Sequence, residues 1–179
     1  MRKVAVLLAA LALAAGPALA GQSDRELLRD VASAVTRYVH FTIFDDVNAS
    51  VEDGLVTLTG KVTMPFKRTE IEQQVGALRG VREVHNRIEV LGVSPFDDDL
   101  RHQVARAIYG NPSFWRYAAM ANPPIHIIVD RGRVTLTGVV NNDVERMLAR
   151  SLATSCGALS VTSELRTDAE MARSSRVLQ

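Results

Sequence analysis

Val56-Thr57-Leu58-Thr59-Gly60 returns 78 residues later as Val134-Thr135-Leu136-Thr137-Gly138, and Gly54 and Gly132 stand two positions before the valine in each copy. The surroundings repeat as well. Upstream, the alternation of Val47, Ala49 and Val51 is matched by Ile125, Ile127 and Val129. Further upstream, Leu27, Val31 and Val35 keep the same i, i+4, i+8 spacing as Leu100, Val104 and Ile108. Downstream, Gly80, Val84, Asn86 and Ile88 match Gly157, Val161, Ser163 and Leu165 after a one-residue deletion. One small structural unit is written twice.

Within a unit the periodicities name the elements. Leu27, Val31 and Val35 make the buried stripe of a first helix, capped by Ser23 or Asp24. Residues 47–51 and 56–60 alternate apolar and polar around Asp53-Gly54, a strong hairpin signal. Thr57 and Thr59 fall on the wetted face of that hairpin, and Gly60 marks a bend or close backbone approach. Pro65 suits the first turn of a second helix carrying Ile71, Val75 and Leu78, and Gly80 stops it. Val84, Asn86, Ile88 and Val90 then alternate as a third strand. The second unit repeats this plan, with Asp97 to Asp99 and then Asn142 or Asp143 as caps and Arg131-Gly132 as hairpin. The expected class is α+β: two tandem αββαβ units, each a three-stranded sheet packed by two helices. The units span residues 23–91 and 97–167, joined by a linker at 92–96 and followed by a frayed polar tail at 168–179. Domains of about 70 residues are marginal alone, so packing against each other would help both.

The first twenty residues stand outside the repeat. Arg2 and Lys3, an uncharged stretch from Val4 to Ala15, Gly16-Pro17 and the small-x-small run Ala18-Leu19-Ala20 predict an export leader cleaved after Ala20. No cysteine follows the cleavage point, so a lipoprotein signal is not expected, and nothing later in the chain has the length of a transmembrane helix. The expected location is the periplasm. The chain has 21 basic and 20 acidic residues; without Arg2 and Lys3, 19 stand against 20, a formal charge of −1. A near-neutral chain has no long-range pull on nucleic acid. Cys156 is the only cysteine, which rules out an intramolecular disulfide and reads as a small core residue.

The Gly-x-Val-x-Leu-x-Gly strand, the Gly-Val-x-x-Val-x-Asn-x-Ile ending at Gly80 to Ile88, the αββαβ order and the duplication together resemble the BON domain family. The second unit departs from the pattern at Cys156 and Ala158 and lacks the Asn of the first ending. The resemblance implies a non-enzymatic module associated with phospholipid binding and envelope stress. It supplies no catalytic residues.

The residues offer no chemistry either. His40, His85, His102 and His126 lack metal-ligand spacing, and His85 and His126 fall on the outer faces of strands. Asp97 to Asp99 read as a helix cap, and no nucleophile elbow or phosphate loop is present. Neither a metal nor a cofactor is expected.

The unusual segment is an insertion in the second unit, Tyr109 to Pro124, with Phe114, Trp115, Arg116 and Tyr117, and with Arg101 and Arg106 on the preceding helix. Aromatic rings with polar edges prefer the headgroup boundary of a bilayer. Phe114, Trp115 and Tyr117 are therefore candidates to enter an anionic phospholipid surface while Arg101, Arg106 and Arg116 meet phosphate. Two alternatives stay open. The same surface suits a protein-interaction or chaperone-like adaptor for envelope proteins, and the aromatics can equally pack under the sheet or between units. Lys61, Lys67 and Arg68 form a second basic group, read as a solvated face.

Overall fold

The computed structural model describes residues 17–177, with side chains described for 24–174. Residues 1–16 of the expected leader and 178–179 of the expected tail lie outside the described residues.

The hairpins form where the glycines place them. In the first unit α1 (Pro17–Thr36) leads to β1 (Asp46–Glu52) and β2 (Leu55–Val62). Asp53 and Gly54 have φ of 49° and 75°, a pair of left-handed residues that matches the twist of a two-residue hairpin. Then α2 (Pro65–Gly76) crosses over and β3 (Glu83–Val90) pairs parallel to β2, giving the order β1-β2-β3. The second unit runs α3 (Pro95–Tyr109), a short 3-10 turn (Pro112–Phe114), α4 (Trp115–Ala118), β4 (Ile125–Asp130), β5 (Arg133–Val140) and α5 (Asp143–Thr154). It ends in β6 (Ser160–Ser163), β7 (Arg166–Thr167) and α6 (Asp168–Val177). Gly60 and Gly138 approach a neighbouring backbone so closely that a Cβ would lie 2.1 Å from Asp46 O and 1.9 Å from Pro124 O.

Both cores are the ones the stripes imply. Leu27, Val31 and Val35 close over Val56, Leu58, Ile71, Val75 and Ile88 in the first unit. Leu100, Val104 and Ile108 close over Ile127, Val129, Val134, Leu136, Ala149 and Ala153 in the second. Cys156 packs at the edge of that second core, its Sγ 3.3 Å from Leu152 O, and burial pushes its thiol pKa up.

Several expectations need correction. The second sheet has four strands rather than three, because its last strand breaks into β6 and β7 along β5. In the first unit Asn86 stitches β3 to α2, donating to Arg68 O and Glu72 and accepting from Ile88 N. Ser163 at the matching place is too short for this; its buried Oγ has no partner, and the ladder breaks after it. Residues 168–177 of the expected tail form α6 rather than fraying, and Glu170 bridges back to Arg146 at 3.0 Å. Helix α3 starts at Pro95, inside the expected linker.

The aspartates also do other work than capping. Helix α1 starts before Asp24, whose carboxylate instead accepts from Asp53 N and Gly54 N. Asp97 does the same for Arg131 N and Gly132 N, at 2.9 and 2.7 Å, while Ser94 caps α3. Each unit thus pins its hairpin to its first helix with one carboxylate. Asn142 caps α5 as expected.

The units meet along a seam built from residues 41–44. Ile127 N donates to Ile43 O at 2.7 Å, and Ile43 and Phe44 pack against the second core. Phe41 lies against His126 and Phe44 against His102, with ring centroids 5.4 and 5.2 Å apart. Lys61 and Asp130 add an ion pair at 2.8 Å. The first unit partly screens the outer face of the second sheet, with grooves between them. His126, expected in solvent, is half-buried with its Nδ1 unpartnered, and Thr137 is buried where a wetted threonine was expected.

Candidate functional site

The insertion owes its shape to three-residue spacing. After Gly110 ends α3, Asn111 accepts from Ser113 N and starts the 3-10 turn. In a 3-10 turn and the first turn of a helix, residues three apart lie on one side. Phe114 and Tyr117 therefore turn inward together while Trp115 and Arg116 turn out. Phe114 is wholly buried and its ring stacks on Tyr117 at 6.0 Å. Tyr117 Oη donates to Glu145 at 2.6 Å and accepts from Asn141 N at 3.0 Å. Burial, with the Glu145 carboxylate beside it, pushes the Tyr117 phenol up to about 12. Burial would raise the Glu145 pKa too, but hydrogen bonds from Tyr117 and Asn141 outweigh it and hold the carboxyl below its ordinary value. Tyr109 Oη donates to Ile125 O and closes the far end of the loop.

The six sequence-derived candidates therefore separate. Phe114 and Tyr117 are core residues and cannot reach a membrane or a partner without unfolding the insertion. Arg101 is also buried, donating to Val129 O at 2.8 Å and pairing with Asp98, so it holds α3 to β4. Trp115 remains 66% exposed. Arg116 projects beside it, only loosely paired with Glu145 at 3.8 Å, and Arg106 is exposed on α3.

Other apolar residues of the second unit are exposed as well. Met120 lies on the same insertion, and Val144 and Met147 flank Glu145 on α5, the residue that anchors Tyr117. The sequence held a signal for the last two: both fall outside the Ala149–Ala153 stripe that α5 buries. Lys67, expected on a solvated face, is buried and bonds Asp45 at 2.6 Å. Asp45 also accepts from Thr42 and Thr63, through N and Oγ1 of each. Burial alone would raise the Asp45 pKa, but Lys67 and these donors reverse the shift and lower it.

A groove of about 630 Å³ runs between the units, lined among others by Leu28, Ala32, Val47, His126, Val139 and Met171. Among the described residues, no three His, Cys, Asp or Glu side chains converge as a metal site, and no helix is long and apolar enough to cross a membrane.

Comparison with known proteins speaks to the repeat as a whole. The BON domain profile matches twice, over residues 23–92 and 97–169. The chain belongs to the BON domain family. BON domains are associated with membrane or phospholipid binding, are generally non-enzymatic and are typically found in periplasmic proteins. Each BON unit here comprises one hairpin, one parallel third strand and the helices that cover them. No curated protein matches the chain. Among solved structures, CdsD, a structural protein of the type III secretion system of Chlamydia trachomatis, is 17% identical, with 84% of this chain and 97% of that one covered at a TM-score of 0.30. The C-terminal domain of CdsD is 14% identical, with 79% and 97% covered at a TM-score of 0.28. Overlap that slight says nothing about function.

Proposed function

We propose that this is an exported, non-enzymatic BON protein of the periplasm that contacts anionic phospholipid surfaces weakly and helps protect the envelope under osmotic stress. The observation that carries the lipid contact is Trp115: a mostly exposed indole beside Arg116, on a loop whose neighbouring aromatics are locked inward. An indole at the headgroup boundary with a cation for phosphate is a common anchoring pair. One such face gives reversible rather than stable attachment. The stress role rests on the layout, two BON units behind an export leader, which is similar to that of the osmotically inducible protein Y. Cleavage after Ala20 fits the first core, whose buried stripe begins at Leu27 and so survives removal of the leader.

Co-flotation tests the reading. The chain from Gly21 onward is mixed with vesicles of phosphatidylglycerol and phosphatidylcholine, beside a Trp115→Ala, Arg116→Ala variant. The wild type floats with the anionic vesicles and the variant stays in the dense fraction. If the wild type floats with no composition, the lipid reading fails and an envelope protein becomes the partner to seek on the same surface.

A further inference from the structure

The first BON unit carries an apolar patch of its own, and it stands at the same seam as the insertion. Val39 is 83% exposed and Phe66 46%, with Met64 beside them at the start of α2. The ring of His40 stands edge-on to both Tyr38, at 5.6 Å, and Phe66, at 5.5 Å, which ties the loop after α1 to the first turn of α2. Next to Phe66 in the chain, Lys67 is buried and bonds Asp45. Like Trp115, these side chains are presented from a pinned frame.

The loop after α1 and the end of the insertion face each other across a groove. A groove of about 340 Å³ is lined by Thr36, Phe41, Thr42 and Ile43 on one side and by residues 121–124 and His126 on the other. Val39 and His40 lead directly into the first wall, and Met120 directly into the second.

The charges around this seam favour one occupant. Three carboxylates near the patches are held in hydrogen bonds: Glu70 accepts from Tyr38 at 2.5 Å, Asp45 from Lys67, and Glu145 from Tyr117. Arg37, Arg68 and Arg116 are exposed, each within two residues of a patch residue in the chain. Apolar side chains flanked by exposed arginines suit an anionic phospholipid surface better than a basic protein.

We propose that the membrane-contacting surface is composite, with Val39, Met64 and Phe66 of the first unit forming a second contact beside the Trp115 insertion. This rests on the phospholipid reading above. Two weak contacts on one body make the second an intramolecular event, so affinity rises well above that of either patch alone.

The test uses the chain from Gly21 onward, with Cys156→Ser and Val39→Cys labelled by a polarity-sensitive dye, and vesicles of equal parts phosphatidylglycerol and phosphatidylcholine. Both the dye and the single tryptophan shift to the blue on binding. If Trp115 shifts and the dye does not, the composite surface is wrong while the lipid reading stands. If neither shifts, both fall. As a second measure, a Val39→Ser, Phe66→Ser variant with an unchanged thermal melt loses vesicle affinity on the order of tenfold. Unchanged affinity in that variant overturns the proposal.

Discussion

Phe114→Ala and Trp115→Ala alter neighbouring residues and are expected to act on different properties. Phe114 is wholly buried in the second core against Tyr117. Truncating a buried phenylalanine costs about 3–5 kcal/mol in lost transfer energy and cavity. Trp115 is mostly exposed, and its truncation should stay within about 1 kcal/mol. If the second unit melts on its own, 3 kcal/mol corresponds to a fall in Tm of roughly 12–24 °C; if both units melt together, to roughly 6–12 °C. Urea and thermal unfolding followed by far-ultraviolet circular dichroism measure both variants. Vesicle flotation of Trp115→Ala supplies the other half, since it should bind less without being less stable. A Phe114→Ala cost below about 1 kcal/mol, or an equal cost for Trp115→Ala, would refute the assignment of one residue to the core and the other to the surface.

Further expectations follow from the same geometry. The Asp45 carboxyl titrates below its ordinary value, so its contribution is present above the unfolded pKa of about 3.9 and is lost as pH falls through the lower folded value. The stability gap between wild type and Asp45→Asn should therefore shrink in urea titrations from pH 7 down to pH 3, and a gap that widens on acidification contradicts this. Asp97→Ala leaves two hairpin amides without their acceptor and should cost about 1–3 kcal/mol. Asp24→Ala should cost less, because its bonds are more exposed; the reverse order in urea melts would count against the shared pinning role. Gly138→Ala must place a Cβ 1.9 Å from Pro124 O at a φ of +107° and should cost more than about 2 kcal/mol, with faster amide exchange across β4 and β5. Wild-type exchange there would show that the approach relaxes freely. Lys61→Ala breaks a half-exposed pair and should change stability by less than about 1 kcal/mol, less still in high salt. A larger loss would mean that this pair, and not Ile43 and Phe44, holds the seam.

The repeat made the fold legible. Leu27, Val31 and Val35 and their counterparts appear twice at one spacing, and a stripe that recurs with its hairpin and glycines leaves few arrangements open. What stayed hidden was tertiary. Asp24 and Asp97 look like helix caps because caps are local, whereas their hairpin partners lie 29 to 35 residues away in sequence. His126 and Thr137 alternate as solvent-facing residues should, and their burial comes from tertiary neighbours, with Phe41 against the His126 ring. Within the insertion, composition marked Phe114 to Tyr117 as a group. Which rings face out depends on the short 3-10 turn that puts Phe114 and Tyr117 on one side. Val39, Met64 and Phe66 come from a loop and from the start of α2, so no single periodicity groups them.

The most direct measurement of the central claim is quenching of Trp115 by lipids brominated along their acyl chains, in vesicles containing phosphatidylglycerol. As the only tryptophan in the chain, Trp115 reports without ambiguity. A boundary-seated indole is quenched by bromines near the headgroup and less by those deep in the chain, and high salt abolishes the effect. Unquenched emission at every bromine depth, with the protein folded, would contradict membrane contact at this site.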